Sequence, residues 1–399
     1  PPPPTQTYTE TKSSAASDVY KRQEQLGAEM ILIERLNSAD QPGITADQVA
    51  RDMIDQGADL IFFTSFDFQD GAYLAAEQYP DVPMIWSSGD SAWSENPDAR
   101  LDLANLGNVM GRMDYGKMIA GCAAALASDS GSIGYVGPLI NAETRQLVNA
   151  AYLGARHCWE EVRGNDPADL DFEVTWIGYW FNLPGETLDP TLVSNDFIDG
   201  GADVLISGID TTEAITVAGQ RAAAGETVWA VPYDYVQACD TAPEVCLGVP
   251  YFNWAPPYLE IAESVADGTY AAEFQWLAPA WDQIDDPDTT PVGYLKGPAL
   301  DPEDEAALDE FRDLMREVHD EVKQAEKVEV CDLAETDDET GLTPDAALAT
   351  QVDRATLTRI LEGLDSHPEG FEVHPKLKGQ LRQRRKRFDE DRIDWALGE

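Results

Sequence analysis

The chain has 399 residues, of which 43% are hydrophobic, and its formal net charge is -47 at pH 7. A negative field of this size repels nucleic acids and anionic lipids, which argues against DNA, RNA or a membrane surface as a partner. We interpret the charge as the solvated surface of a protein adapted to salt rather than as a device for binding cations. No apolar run reaches the length of a membrane-spanning helix, so we expect a soluble globular protein with two domains.

Residues 1–23 have no periodic hydrophobic pattern and no secretory core. They look like translated adaptor sequence at the end of a metagenomic reading frame. We therefore predict a non-native, disordered segment and exclude it from the reasoning about the fold. An export signal carried by the intact gene would then be missing from this chain.

Residues 45–65 and 191–210 repeat one pattern, which is an amphipathic helix, a glycine stop and a buried apolar strand. The block "DQGADLIF" of the first copy aligns directly with "DGGADVLI" of the second. Thr45 and Gln48 have the spacing of a capping box at the start of the first helix. Helices that alternate with continuously apolar strands are typical of parallel sheets covered on both faces. We predict an α/β protein with two such lobes, and one large doubly wound sheet is the alternative.

The carboxyl ends of the predicted strands mix aromatic with short polar side chains, at 62–68, 85–90, 135–141, 177–182, 206–212 and 232–235. In open parallel sheets, ligands bind beyond these ends of the strands. The composition is that of a small-molecule pocket. Lysine is nearly absent from the strand ends, so we expect a neutral ligand rather than a phosphorylated one.

Several blocks resemble the BMP (basic membrane protein) family over residues 24–300, among them "QGADLIFFTSFDF", "WFNLP", "GADVLISGIDT" and "VPYFNWAPPYLEIAESVADGTY". Members are substrate-binding proteins of ABC importers that are related to purine nucleoside receptor A. The resemblance implies a type I periplasmic-binding fold, with two Rossmann-like lobes that contain parallel sheets and are joined by three crossovers. It also implies a purine nucleoside or base as ligand and an ABC permease as partner. The intact protein would be a monomeric, periplasmic or extracellular lipoprotein.

The predicted domain boundaries follow from this resemblance. Lobe one takes residues 24–128 and 252–272, and lobe two takes 129–251 and 273–300. The first strand of lobe one is expected to be missing, because the adaptor-like segment stands where family members have it. An acidic helix and a linker follow over 301–345.

Residues 346–399 are predicted to be a helical or disordered segment. Its end, from "GFEVHPKLKGQL" to "IDWALGE", resembles a fragment of the thiamine-dependent E1 component of 2-oxoglutarate dehydrogenase. The piece is too short for a thiamine-binding domain. We interpret it as an assembly artefact, with an unusual fusion as the alternative.

Ten residues at the strand ends and crossovers are the predicted ligand contacts: Ser65, Phe66, Phe68, Tyr115, Asn141, Trp180, Asp210, Asp234, Asn253 and Trp254. Asp234 matches the aspartate with which family members grip ribose hydroxyls, and one carboxylate can accept two hydrogen bonds from a vicinal diol. For Asp234 and Asp210, a helix N-cap is the alternative role. A purine is expected to stack on Trp180, beside Phe181, with core packing as the alternative.

Packing alternatives also exist for Ser65, Phe66, Phe68, Asn253 and Trp254. Ser65 is expected to make a polar contact and one of Phe66 and Phe68 to form a stacking wall, unless they only pack at the end of the strand. Asn253 and Trp254 lie at a predicted crossover, where hinge packing is equally consistent. Cys239 and Cys246 are close enough in one loop to form a disulfide in an oxidising compartment, and a pair of buried thiols is the alternative.

No catalytic constellation is visible between residues 24 and 300. His157 is the single histidine there, and its neighbour Cys158 would point about 100° away from it on a helix, so the two do not form a dyad. We predict a binding protein without enzymatic activity, cofactor or metal. One alternative is a metal-dependent enzyme resembling nucleoside hydrolases that uses Asp90, Asp210 and Asp234. Another is a ligand-sensing regulatory domain, for which the acidic chain offers no DNA-binding module.

Overall fold

The computed structural model describes residues 31–33, 36, 41–94 and 96–333, with the backbone alone for 321–333. The chain divides into two compact units, Pro1–Phe311 and Arg312–Glu399. The sheets of the described residues all lie in the first unit. Within the described ranges, no helix is long and apolar enough to cross a membrane. The predictions for residues 1–23 and 346–399 and the expected missing strand fall outside the described residues.

The first sheet consists of four parallel strands in the order β1-β2-β3-β9, which are β1 (Ile61–Phe63), β2 (Met84–Ser87), β3 (Leu106–Gly111) and β9 (Phe274–Leu277). Helix α1 (Ala46–Asp55) precedes β1, and helix α2 (Gln69–Gln78) follows it. The strands β2 and β3 are buried along their whole length, as expected for parallel strands covered on both faces. The Thr45–Gln48 capping box begins α1, as predicted.

The second sheet has the same construction, with four parallel strands in the order β5-β4-β6-β7. They are β4 (Ser132–Gly137), β5 (Asp171–Trp176), β6 (Val204–Ser207) and β7 (Trp229–Val231). Three helices connect them, which are α4 (Ala142–His157), α5 (Pro190–Asp199) and α6 (Glu213–Ala223). The repeated glycine stop is visible in both halves, because Gly57 and Gly201 follow α1 and α5 with φ angles of 101° and 109°. Only glycine adopts these angles without strain, so they end the helices.

The chain passes between the two sheets three times, as predicted. It leaves the first sheet after β3 and enters α3 (Met113–Ala127), and it returns through β8 (Gly248–Phe252) and α7 (Ala255–Ala266) to β9. After β9 it reaches β10 (Val292–Lys296), which pairs antiparallel with β8, and then α8 (Pro302–Leu333). Two parallel sheets joined by three crossovers confirm the predicted fold class.

The predicted lobe boundaries are wrong at two places. Residues 113–128 were assigned to lobe one, but α3 packs against α4 of the second lobe. A side chain at Gly121 would clash with the backbone of Ala151, and one at Gly154 would clash with the backbone of Met118, so the two glycines let the helices touch. Likewise, β9 lies within the range 273–300 assigned to lobe two, but it pairs with β3 of the first sheet.

Two disulfides fasten the second lobe. One joins Cys239 to Cys246, the pair identified in the sequence, across a separation of 7 residues. The other joins Cys122 of α3 to Cys158 at the end of α4, across a separation of 36 residues. The sequence analysis did not find this second pair, because a long separation gives no local signal. It holds α3 on the second lobe.

Removing the Cys122–Cys158 disulfide with paired alanine substitutions is expected to lower the free energy of unfolding by about 4 kcal/mol, because a loop of 36 residues is no longer closed in the unfolded chain. Paired alanines at Cys239 and Cys246, which close 7 residues, are the matched control and should cost about 2 kcal/mol. Urea unfolding of both variants measures the difference. An equal or larger loss from the shorter loop would contradict this loop-closure argument.

Candidate functional site

The ends of β1 and β5 face each other across the gap between the lobes. Phe66 follows β1 in a short 3₁₀ turn, and its ring centroid lies 5.9 Å from that of Trp180, which follows β5. Phe66 also contacts Trp86 at 5.9 Å, and the Trp86 indole N–H donates a hydrogen bond to the Ser65 carbonyl at 3.0 Å. The aromatic pair Phe66–Trp180 therefore joins the two lobes at the mouth of a cleft.

The two rings of this aromatic pair are too close to hold a planar ligand between them. A planar ligand stacked between Phe66 and Trp180 needs the two ring planes roughly 7 Å apart, because each stacking contact takes about 3.5 Å between carbon atoms. Their planes are also tilted by 44°. A planar ligand must therefore part Phe66 and Trp180 or lie below them.

Four carboxyl groups lie close to one another near the aromatic pair, and we call them the acid cluster: Asp67, Glu143, Asp210 and Asp234. The Asp210 N–H donates a hydrogen bond to the Trp180 carbonyl at 2.9 Å, which joins the cluster to the aromatic pair. Asp210 interacts electrostatically with the other three, including Asp67 from the opposite lobe. The residues that follow β1, β5, β6 and β7 therefore come close together between the lobes.

Desolvation governs the charge of the acid cluster. Burial, together with the neighbouring Asp234 and Glu143, raises the pKa of Asp210 well above its usual value. Burial raises the pKa of Glu143 to about 7. Asp67 is exposed at its surface, but the surrounding protein removes enough water to raise its pKa as well. A ligand that donates hydrogen bonds would replace the water that these carboxyl groups lose.

Asp234 has an unusual backbone. Its φ angle is 82°, in the left-handed region that non-glycine residues seldom occupy. The strand β8 holds it there, because the Asp234 N–H donates to the Pro250 carbonyl at 3.1 Å and the Asp234 carbonyl accepts from the Phe252 N–H at 3.2 Å. Such strain persists where the surrounding structure imposes it, often at functional sites.

The N-cap alternatives do not describe the aspartates. The helical turn after Asp234 begins with Gln237 as its N-cap, and the N-cap of α6 is Thr212 rather than Asp210. Asn141, by contrast, is a helix cap, since its side-chain oxygen accepts a hydrogen bond from the Thr144 N–H at 2.8 Å at the start of α4. The cap role accounts for the Asn141 side-chain oxygen.

Lys117 is a site residue that the sequence did not predict. It belongs to α3 and is 0% exposed, yet its amine interacts with the charges of the acid cluster and donates to the Ser207 carbonyl at 2.6 Å. The prediction of a neutral ligand considered lysines in the strand ends alone. A lone lysine within the otherwise apolar run of α3 was the available signal.

Four predicted contacts lie in packing positions. Trp254 is 7% exposed and stacks on Phe252 at 5.0 Å, within the core of the first lobe. The Asn253 side-chain oxygen accepts from the Ala255 N–H at 3.3 Å at the start of α7, while its side-chain nitrogen is buried without a hydrogen-bond partner among the described residues. Phe68 packs against the core around β1. The Arg112 guanidinium lies over the Tyr115 ring, 4.6 Å from the ring centroid. The ring centroids of Tyr115 and Trp281 are 5.0 Å apart.

The alternative of a metal-dependent enzyme requires a cluster of side chains that can coordinate a metal ion. Those residues contain no group of three histidine, cysteine, aspartate or glutamate side chains placed to hold a metal ion. Asp90 has Asp98 as its charged neighbour, whereas Asp210 and Asp234 neighbour each other. The three aspartates of that hypothesis do not form one site.

Two of the curated proteins that the chain resembles are named as binding proteins. It is 29% identical over 218 residues to a candidate ABC transporter glucose-binding protein of Haloferax volcanii, covering 55% of this chain and 49% of the relative. It is 28% identical over 234 residues to a purine-binding protein of Brucella abortus, covering 59% of each. The chain therefore spans about half to three fifths of the length of these relatives.

A third similarity concerns a different class of protein. The chain is 37% identical over 99 residues to a multifunctional 2-oxoglutarate metabolism enzyme of Mycobacterium sp. (strain JLS), which is 24% of this chain and 8% of that enzyme. So short a share of the enzyme carries no argument about activity.

The fold has solved counterparts. An ABC transporter solute-binding protein from Conexibacter woesei superposes with a TM-score of 0.53 at 19% identity, covering 78% of this chain and 94% of that chain. A family model described as ABC transporter substrate-binding protein, PnrA-like, matches residues 20–273 and so includes residues 20–23 of the segment interpreted as non-native. With this match over more than half of its length, the chain belongs to the Bmp family of ABC transporter substrate-binding proteins.

Proposed function

We propose that the chain binds a neutral purine nucleoside or base in the cleft between its lobes and delivers it to an ABC permease. The observation that carries the proposal is the aromatic pair Phe66–Trp180 beside the acid cluster, to which the backbone hydrogen bond from Asp210 to Trp180 joins it. Aromatic rings stack on any flat base, and carboxylates accept hydrogen bonds from hydroxyl and amino groups. The purine-binding relative from Brucella abortus agrees with this ligand class.

The proposed binding mode assigns each half of the ligand to one half of the cleft. The base would part Phe66 and Trp180 and stack on the indole. The ribose hydroxyls would donate hydrogen bonds to Asp234 and Asp210, which lie deeper. Closure of the lobes around the ligand supplies the shape that a permease recognises.

A hexose is the second candidate ligand, because the Haloferax volcanii relative is named for glucose. Carboxylates that accept from vicinal hydroxyls and aromatic walls that cover apolar faces would also suit a sugar. The two ligands differ at the mouth of the cleft, since only a planar base must separate the aromatic pair.

A ligand panel tests the proposal. Isothermal titration calorimetry and thermal unfolding with adenosine, guanosine, adenine and glucose should give binding by a purine compound and no binding by glucose. At a concentration 100 times the dissociation constant, the stabilisation should be about 2.7 kcal/mol. Binding of glucose alone would replace the purine assignment with the hexose one, and binding of neither would overturn both.

The same panel separates binding from catalysis. We propose that the cleft releases its ligand unchanged, so adenosine incubated with the protein should be recovered without free adenine. Chromatographic detection of adenine formed in proportion to the protein would contradict this. We further propose that the protein acts as an extracytoplasmic monomer, anchored by lipid in the intact gene product, with the ABC permease as its partner.

A further inference from the structure

We infer that Lys117 is a positioning residue for ligand binding, which holds the ends of β6 and β7 together and carries a positive charge under the acid cluster. The inference rests on the proposed function, because the ligand is what the two strand ends would be positioned for. Lys117 itself is fully buried, so it acts on the ligand through its neighbours rather than by direct contact.

The contacts of Lys117 span three strands. Its amine donates to the Ser207 carbonyl at the end of β6 at 2.6 Å. It also lies 3.4 Å from the ring centroid of Tyr233, which directly precedes Asp234, and 5.4 Å from that of Tyr135 on β4. One side chain therefore touches the supports of both Asp210 and Asp234.

Stability alone gives no reason for a lysine at this position. Burying an ammonium group costs free energy, and apolar side chains of similar volume often replace buried charges without loss of stability. Methionine has a similar length and would fill the same space. The neighbours of Lys117 supply the missing reason, since Glu143, Asp210 and Asp234 all interact with its charge.

The charges under the cleft depend on one another. The titratable groups that face Lys117 come from β4, α4 and the ends of β6 and β7, and they are Tyr135, Glu143, Asp210, Tyr233 and Asp234. From the opposite lobe, Asp67 acts on Asp210. Burial lowers the pKa of Lys117 well below its usual value, and the neighbouring carboxylates oppose that shift and favour the charged amine. In return, Lys117 opposes the rise in the pKa of Glu143 and of Asp210.

The consequence concerns the hydrogen-bonding capacity of the acid cluster. A carboxyl group offers its full set of acceptor sites only when it is ionised. Removing Lys117 raises the pKa of Glu143 and Asp210 further, so more of the cluster is protonated at a given pH. Loss of ligand affinity on acidification should then begin at a higher pH than in the wild type.

The experiment compares the wild type with Lys117→Met, which removes the charge, and Lys117→Gln, which removes the charge but can still donate to the Ser207 carbonyl. Adenosine affinity is measured by calorimetry between pH 5.5 and 8.5. We expect both variants to bind about tenfold more weakly at pH 7 and the decline on acidification to move to higher pH. Thermal stability without ligand should be unchanged or higher in Lys117→Met.

Lys296→Met is the matched control, because Lys296 forms ion pairs with Glu305 and Asp309 on the surface. It should leave the affinity and its pH profile unchanged. An affinity and pH profile of both Lys117 variants equal to those of the wild type would overturn the inference. So would weaker binding with an unmoved pH profile, which indicates a packing role only.

A ligand-free measurement separates this inference from the proposed function. The carboxyl carbon of Glu143, assigned by its loss in Glu143→Gln, is titrated by NMR in the wild type and in Lys117→Met. A midpoint that starts near 7 and rises in the variant supports the charge carried by Lys117, and an unmoved midpoint overturns it. Failure of the wild type to bind any compound in the panel overturns the proposed function instead.

Discussion

Asp234→Gly is expected to make the protein more stable and to weaken its binding of the proposed nucleoside. Asp234 holds a φ angle of 82°, and glycine adopts this angle without the cost of about 1 kcal/mol that a side chain imposes. The unfolding temperature should therefore rise by about 2 °C. The loss of two hydrogen bonds to a charged group, about 1.5–3 kcal/mol each, should weaken adenosine binding at least 100-fold. Thermal unfolding and calorimetry measure the two effects on one sample.

Two controls accompany this variant. Asp234→Asn keeps the shape of the side chain and tolerates the left-handed backbone, so it should lose affinity with little change in stability. Asp90→Asn changes an aspartate that follows β2 outside the acid cluster, and it should bind as the wild type does. Wild-type affinity in Asp234→Gly would show that the carboxylate does not hold the ligand. A lower unfolding temperature would show that the backbone there is not strained.

Trp180→Ala is expected to weaken adenosine binding by about 10- to 100-fold, because stacking of a base on an aromatic side chain contributes about 1–3 kcal/mol. Trp180→Phe retains a flat ring and should lose less than tenfold. The indole of Trp180 should also change its fluorescence when a base replaces the Phe66 ring beside it, and this signal should be absent in both variants. Stopped-flow or equilibrium fluorescence measures the difference between wild type and Trp180→Phe.

One outcome would contradict this second prediction. Adenosine affinity unchanged in Trp180→Ala would remove the aromatic pair from the binding mode. This result would not test the contact between the ligand and Asp234, which belongs to the acid cluster rather than to the aromatic pair.

The fold was predictable because its signals are local. The glycine stops at Gly57 and Gly201, the Thr45 capping box and the continuously apolar strands each depend on neighbouring residues, and the structure has all of them. The boundaries of the lobes were not predictable in the same way. Whether α3 packs on one sheet or the other depends on Gly121 meeting Ala151, a contact between distant segments that no local pattern reveals.

The sequence predicted the site residues that follow the strands, but not the two that come from helices. Phe66, Trp180, Asp210 and Asp234 follow apolar strands, and parallel strands bring their carboxyl ends to one edge. Lys117 comes from a helix and reaches the same place through a long side chain, so its position depended on how α3 packs. Glu143 was overlooked for a related reason, because it stands in the first turn of α4 and reads as an ordinary acidic residue of a helix start.

The contact between Phe66 and Trp180, at 5.9 Å, has a kinetic consequence. In the proposed binding mode a base has to part these two rings, so its binding has to wait for a spontaneous opening. The observed association rate should therefore level off at high nucleoside concentration, at the frequency with which the two halves separate. The measured affinity is also weaker than the intrinsic one, by the fraction of molecules that are open at any moment.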